Sequence, residues 1–234
     1  MPAAGKAEMR MDENAGCQEQ NRIAGQIAIH KTDKKLLEFI DGLNPAPLQD
    51  YASLHAGSVR PHEKDGQRIY SVIRIVAQDY SNRAGPSVRA KANISPVEAR
   101  YIYETAKSGA GEFKFEAVKI FGDPDGQGFC PMTKLWVTRS KTAADGEVLN
   151  RPWKVDVENG RGIKAQGKNG GAYCQGGSYA LEKKVFLNFT DCEFFGLMCA
   201  VERYIYIWEI ACGTKLIKEG RSARDALASG GGSV

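Results

Sequence analysis

Between Lys134 and Lys184 the chain carries ten Lys or Arg residues against five acids, although its overall net charge is only +4. Trp136, Trp153, Tyr173 and Tyr179 are interleaved with them. A nucleic-acid groove needs this mixture, because cations neutralise phosphates and aromatic faces stack on bases. Lys154, Arg161, Lys164 and Lys168 also flank a Gly-rich stretch, Gly160 to Gly177, whose backbone amides could approach a phosphate closely. The residues expected to contact nucleic acid are Lys134, Trp136, Arg139, Arg151, Trp153, Lys154, Arg161, Lys164, Lys168 and Tyr173. The plainer alternative is a solvated sheet face with core aromatics.

Other chemistry finds less support. The Gly-rich stretch has no Walker lysine pattern, and no G-x-G-x-x-G leads from a strand into a helix. Gly122 to Gly128 has acids in the manner of a calcium loop but no Glu at the needed spacing, so a hairpin turn is expected. Asp156 and Glu158 alternate with Val155 and Val157 and so share one face of a strand. Paired acids could hold a metal in a nuclease, but a solvated strand face explains them more cheaply. Ser, His and Asp occur in no nucleophile elbow. No catalytic residue, metal or cofactor is therefore assigned. The six cysteines form no C-x-x-C pair, all three histidines precede Cys130, and no secretory leader is visible. Reduced thiols in a cytoplasmic protein are expected. Glu202, Arg203 and Glu209 interrupt the longest apolar run, Phe194 to Cys212, which reads as a buried helix rather than a membrane span.

The elements that must position the basic segment can be read from periodicity. Residues 1–25 are polar and without period, a disordered tail, and 223–234 read as a flexible tail. Residues 26–66 read as a helical appendage: Thr32 caps a helix through Ile40, stopped by Gly42, and a second short helix runs to Leu54. Alternation predicts strands over about 68–79, 87–94, 113–121, 132–139, 153–158 and 183–189. Asn159-Gly160 reads as a hairpin turn closing the fifth of these. Ser95-Pro-Val-Glu98 opens one helix, ending near Gly109, and Thr190-Asp-Cys-Glu193 opens another.

Two stretches echo one another. Arg89 to Glu98 and Lys184 to Glu193 both run strand, Asn, apolar residue, hydroxyl cap, two residues, Glu. Both helices then carry Arg-Tyr-Ile-Tyr, at 100–103 and 203–206. In each motif the tyrosines lie two apart, so one is expected in the core and the other at a rim. The expected fold is α+β, with antiparallel sheets and covering helices in two related strand-then-helix units, 67–110 and 111–222. This layout resembles the single-stranded-DNA-binding fold of the positive-cofactor-four-type transcriptional coactivators and the plant Whirly proteins, over about residues 68–212. The resemblance implies four-stranded curved sheets, each followed by a helix, with single-stranded DNA as partner. It departs in one respect: the first unit shows two clear strands before its helix. One alternative is a phage or mobile-element protein that binds and inhibits a protein partner, as anti-CRISPR inhibitors do, and a second is the metal-dependent nuclease. The long apolar helix would suit a homo-oligomer as well as a single core.

Overall fold

The computed structural model describes residues 25–57, 62–64, 67–82, 85–168 and 170–230. The tail expected over 1–25 lies, apart from Gly25, outside these residues. Strands β1 (Gln26–Lys31) and β2 (Lys35–Gly42) form a hairpin, and a 3-10 helix (Leu48–Ser53) follows. A small hairpin, β3 (His62–Lys64) and β4 (Gln67–Ile69), precedes β5 (Val72–Asp79) and β6 (Val88–Ile94). Helix α1 (Pro96–Ser108) closes the first unit. The second unit is β7 (Phe113–Ile120), β8 (Phe129–Arg139), β9 (Trp153–Gln166), β10 (Ala172–Cys174), β11 (Ala180–Phe189) and α2 (Asp191–Gly230).

The helix expected over Thr32–Ile40 is instead a turn and a strand. Thr32 Oγ1 does accept backbone N–H groups, from Lys35 at 3.0 Å and Lys34 at 3.4 Å, but it closes the β1–β2 turn rather than capping a helix. The same side-chain chemistry serves both motifs. Tertiary pairing decided between them: β2 runs antiparallel to β5 from Lys35↔Asp79 to Gly42↔Val72, which turns Leu37 and Phe39 into the core. The first sheet therefore has four strands, ordered β1-β2-β5-β6. The second is ordered β7-β8-β9, with β11 and β10 pairing successive parts of β9. All these pairings are antiparallel. The fold is α+β, built of two strand-then-helix units.

Alternation sorts the strands into two faces. Leu37, Phe39, Ile73, Ile75, Ala90, Ala92 and Ile94 from the first sheet meet Leu135, Val137, Val155, Val157, Val185 and Leu187 from the second in one core. Phe194, Leu197, Met198, Val201 and Ile205 of α2 complete it. Both expected capping boxes are present: Glu98 N–H to Ser95 Oγ at 3.2 Å, and Glu193 N–H to Thr190 Oγ1 at 3.2 Å, each with the reciprocal glutamate bond. Helix α2 does not stop near Cys212 and give way to a tail; it continues to Gly230, so its 40 residues span about 60 Å. Its later half packs on the 3-10 segment, with Leu54 against Gly213 and Tyr51 against Gly220. Among the described residues no helix is long and apolar enough to cross a membrane, and the five described cysteines are free thiols.

Asn159-Gly160 is not a turn but lies within β9. Gly160 is needed there for a different reason. The Ala180 carbonyl oxygen would sit 2.2 Å from any Cβ at this position, so only glycine lets β11 approach.

Candidate nucleic-acid interface

The face of the second sheet turned away from the core carries three cross-strand rows. Thr138, Lys154 and Asn188 form one, Trp136, Asp156 and Phe186 the next, and Lys134, Glu158 and Lys184 the third. Each row takes one residue from β8, one from β9 and one from β11. The intervening positions, such as Val137, Val155 and Leu187, supply the core. Strict alternation on three adjacent strands is thus what gathers cations and rings on one surface.

The charges interlock. Lys184 Nζ lies 2.8 Å from Glu158 Oε1 and 3.3 Å from Asp156 Oδ2, and Lys154 Nζ lies 3.1 Å from Asp156 Oδ2. Tyr179 donates its hydroxyl to Glu158 Oε2 at 3.1 Å. The hydrogen bond to Glu158 raises the Lys184 ammonium above its ordinary range, so it stays charged. Burial, reinforced by the Glu158 carboxylate, likewise raises the Tyr179 phenol, which stays a neutral donor. Asp156 and Glu158 are only 6% and 8% exposed, so the lysines form the outer layer.

Rings and ammoniums alternate across the surface. Lys134 Nζ sits 3.5 Å from the centroid of Tyr179 and 5.9 Å from that of Trp136. The Phe186 ring, 40% exposed, has Lys154 at 4.8 Å and Lys35 at 4.1 Å. Lys35 comes from the turn end of β2 in the other sheet and donates to the Phe186 carbonyl at 3.0 Å. Each ring therefore has a cation beside it, Phe186 exposed and Trp136 and Tyr179 half-buried, an arrangement able to pair a phosphate and stack its base. Among the described residues Lys134 forms no ion pair with a carboxylate.

The ten expected contact residues divide among four places. Lys134, Trp136 and Lys154 lie on the central surface. Arg161, Lys164, Lys168 and Tyr173 lie along the outer end of β9 and the β9–β10 hairpin. There Arg161 pairs with Glu182 at 3.3 Å, Lys164 donates to the Gly122 carbonyl, and Tyr173 is exposed. Arg151 lies at the opposite end, 3.3 Å from Glu193. Arg139 and Trp153 do not belong to the surface at all. They are opposite one another on the core side, where Trp153 is 1% exposed and stacks on Phe194 with centroids 4.3 Å apart. Arg139 makes two bonds of 2.9 Å to Asp191, which also accepts the Trp153 indole N–H at 2.7 Å. Alternation exposes the error: Leu135 and Val137 face the core, so Arg139 shares their side. The list of ten omits four surface residues: Tyr179 and Lys184, which belong to the basic, aromatic segment, and Lys35 and Phe186. The pattern Lys184, Phe186, Asn188 against Val185, Leu187, Phe189 identifies two of them. Lys35 and Tyr179 reach the surface through tertiary folding alone.

Among the described residues, the first sheet carries cations without rings on its own outer face. Lys31, Arg74, Arg89 and Lys91 are exposed there around the buried Glu38. No family model, curated protein or solved structure matches the chain.

Proposed function

We propose that this protein binds nucleic acid, single-stranded DNA foremost, on the outer face of the second sheet. The observation that carries the reading is the row arrangement of Lys134, Lys154 and Lys184 among Trp136, Tyr179 and Phe186 on a face that neither helix covers. The rings favour single strands, whose unstacked bases offer a π face that a duplex hides. The first unit runs four strands of one sheet before its helix and the second runs five, close to the four-strand layout of the coactivators and Whirly proteins named above, and this supports the reading further. Asp156 and Glu158 favour it over a nuclease. Their carboxylates already hold Lys154, Lys184 and Tyr179, which leaves little room for a divalent cation.

Fluorescence anisotropy with a labelled single-stranded oligonucleotide tests the proposal. Lys35, Lys134, Lys154 and Lys184 together give an expected slope of log affinity against log salt of about −3. Lys134→Ala removes a cation that holds no carboxylate, so the slope should become shallower by about 0.7 with the fold intact. Trp136→Ala should weaken binding by about 1–3 kcal/mol at every salt concentration. No salt-dependent binding by the wild-type chain, or two variants indistinguishable from it, would overturn the reading.

A further inference from the structure

Asp156 holds an acceptor that the protein itself does not use. Its Oδ2 takes both ammoniums, Lys154 at 3.1 Å and Lys184 at 3.3 Å. Its Oδ1 is buried and has no hydrogen-bond partner among the described residues. An unmet buried acceptor is costly, and a carboxylate oxygen more so than a neutral one. Nothing in the core requires this residue. It lies on the outer face, and its register neighbours on either side are the rings of Trp136 and Phe186. The arrangement therefore sets an ionised acceptor between two stacking surfaces, with the counter-charges locked on its other oxygen.

We infer that Asp156 Oδ1 reads an amino group on a base lodged against Trp136 or Phe186, so that the surface prefers amino-bearing bases to those with a carbonyl at the same position. The inference rests on the proposed nucleic-acid reading and deepens it. Cytosine presents an N4 amino donor where uracil presents O4, an acceptor that a carboxylate repels. Oδ1 is sealed in the free protein, so the base reaches it by displacing a neighbouring ring, a rotamer change that interfaces commonly make. Phosphate contacts from the lysines carry no such preference. Selectivity and affinity should therefore reside in different side chains.

Labelled oligo-dC and oligo-dU of equal length, titrated at neutral pH, form the test. They share a pyrimidine ring without a methyl group and differ at position 4 and in the protonation of N3. The wild type should bind oligo-dC about tenfold more tightly. Asp156→Asn supplies the sharper result. Its amide oxygen stays on Lys154 and Lys184, which turns the NH2 group to the base and reverses the preference toward oligo-dU. A purely structural Asp156, serving only as counter-charge to the two lysines, predicts a different pattern. Stability would fall in Asp156→Asn, and the dC-to-dU ratio would stay where it was. Equal, salt-dependent binding of both oligomers by the wild type, or an unmoved ratio in the variant, overturns this inference and leaves the nucleic-acid reading standing. Failure of both oligomers to bind at any salt overturns the two together.

Discussion

Glu209 shows how a single side chain ties three parts of the chain together. Its carboxylate accepts two bonds from Arg100 of α1, at 2.8 and 2.7 Å, and one from His55 Nε2 at 2.9 Å. His55 stacks on Trp208, and its Nδ1 lies 2.8 Å from Ser71 Oγ. A Ser-His-Glu chain of contacts resembles a hydrolytic triad, but Ser71 Oγ is buried and accepts the Asn44 N–H at 3.1 Å. It has no free approach to a substrate, and the cluster is a joint between elements. Burial would raise the Glu209 carboxyl, yet hydrogen bonds from Arg100 and His55 outweigh it and hold the group below the ordinary carboxylate range. A pKa lowered on folding contributes stability that is complete above the unfolded value, about 4.3, and lost as pH falls through the folded one. Glu209→Gln should therefore cost about 2 kcal/mol at pH 7 in urea unfolding. The gap from wild type should close only in acid, at pH values under that unfolded one. A gap of constant size from neutral to strongly acid conditions would contradict the assignment.

Two elements end and dock by devices visible at their termini. Both β-to-α junctions are closed by a hydroxyl cap and a glutamate three residues on, and Thr190→Ala should lower global stability by about 1 kcal/mol. The far half of α2 depends instead on a glycine. A Cβ at Gly220 would lie 2.4 Å from ring atoms of Tyr51, so the helix can approach the 3-10 segment only without one. Helix propensity favours Gly220→Ala by up to about 1 kcal/mol, so a simple helix would be stabilised by it. Contact geometry predicts the opposite for this docked one. Hydrogen exchange of amides beyond Gly213 should accelerate in Gly220→Ala while the central strands keep their protection. Unchanged exchange in that stretch would mean that the segment is not docked in solution.

At the level of the whole molecule the two sheets are joined through their edges as well as their core. β6 is an edge strand of the first sheet, and the Lys91 backbone there points at β9. Asn159 answers with its side chain: Lys91 N–H donates to Oδ1 at 2.8 Å, and Nδ2 donates to the Lys91 carbonyl at 2.7 Å. One amide thus takes the place of a paired strand residue and protects an exposed edge. Asn159→Ala should cost about 1–2 kcal/mol in denaturant unfolding. It should leave the salt slope of oligonucleotide binding unchanged, because Asn159 alternates with Glu158 and stands off the basic face. A changed slope would show that the two outer faces act as one binding surface.

Much of this was legible in the primary structure. Alternation located both ends of β6 and β7 and the C-terminal ends of β5 and β11 to within a residue, because a half-buried strand must place every second residue in the core, but it joined β4 and β5 into one strand over 68–79. The caps Ser95 and Thr190 fixed where both helices begin, since their side chains answer specific backbone N–H groups. The tyrosine pairs divided as their spacing required, with Tyr103 and Tyr204 against the core and Tyr101 and Tyr206 exposed. Local pattern could not decide the hairpin at 26–42, where a hydroxyl at Thr32 serves a turn or a helix equally and only pairing with β5 settles the matter. Nor could it give the full length of α2, whose polar second half is held by Tyr51 and Leu54 from far along the chain. The candidate surface divides in the same way. Alternation alone places Lys134, Trp136, Lys154, Lys184 and Phe186 on outward positions of their strands and turns Arg139 and Trp153 inward. That Asp156 stands between Trp136 and Phe186, with Lys35 arriving from the other sheet, depends on strand register and sheet packing, which are long-range properties that no local window of residues contains.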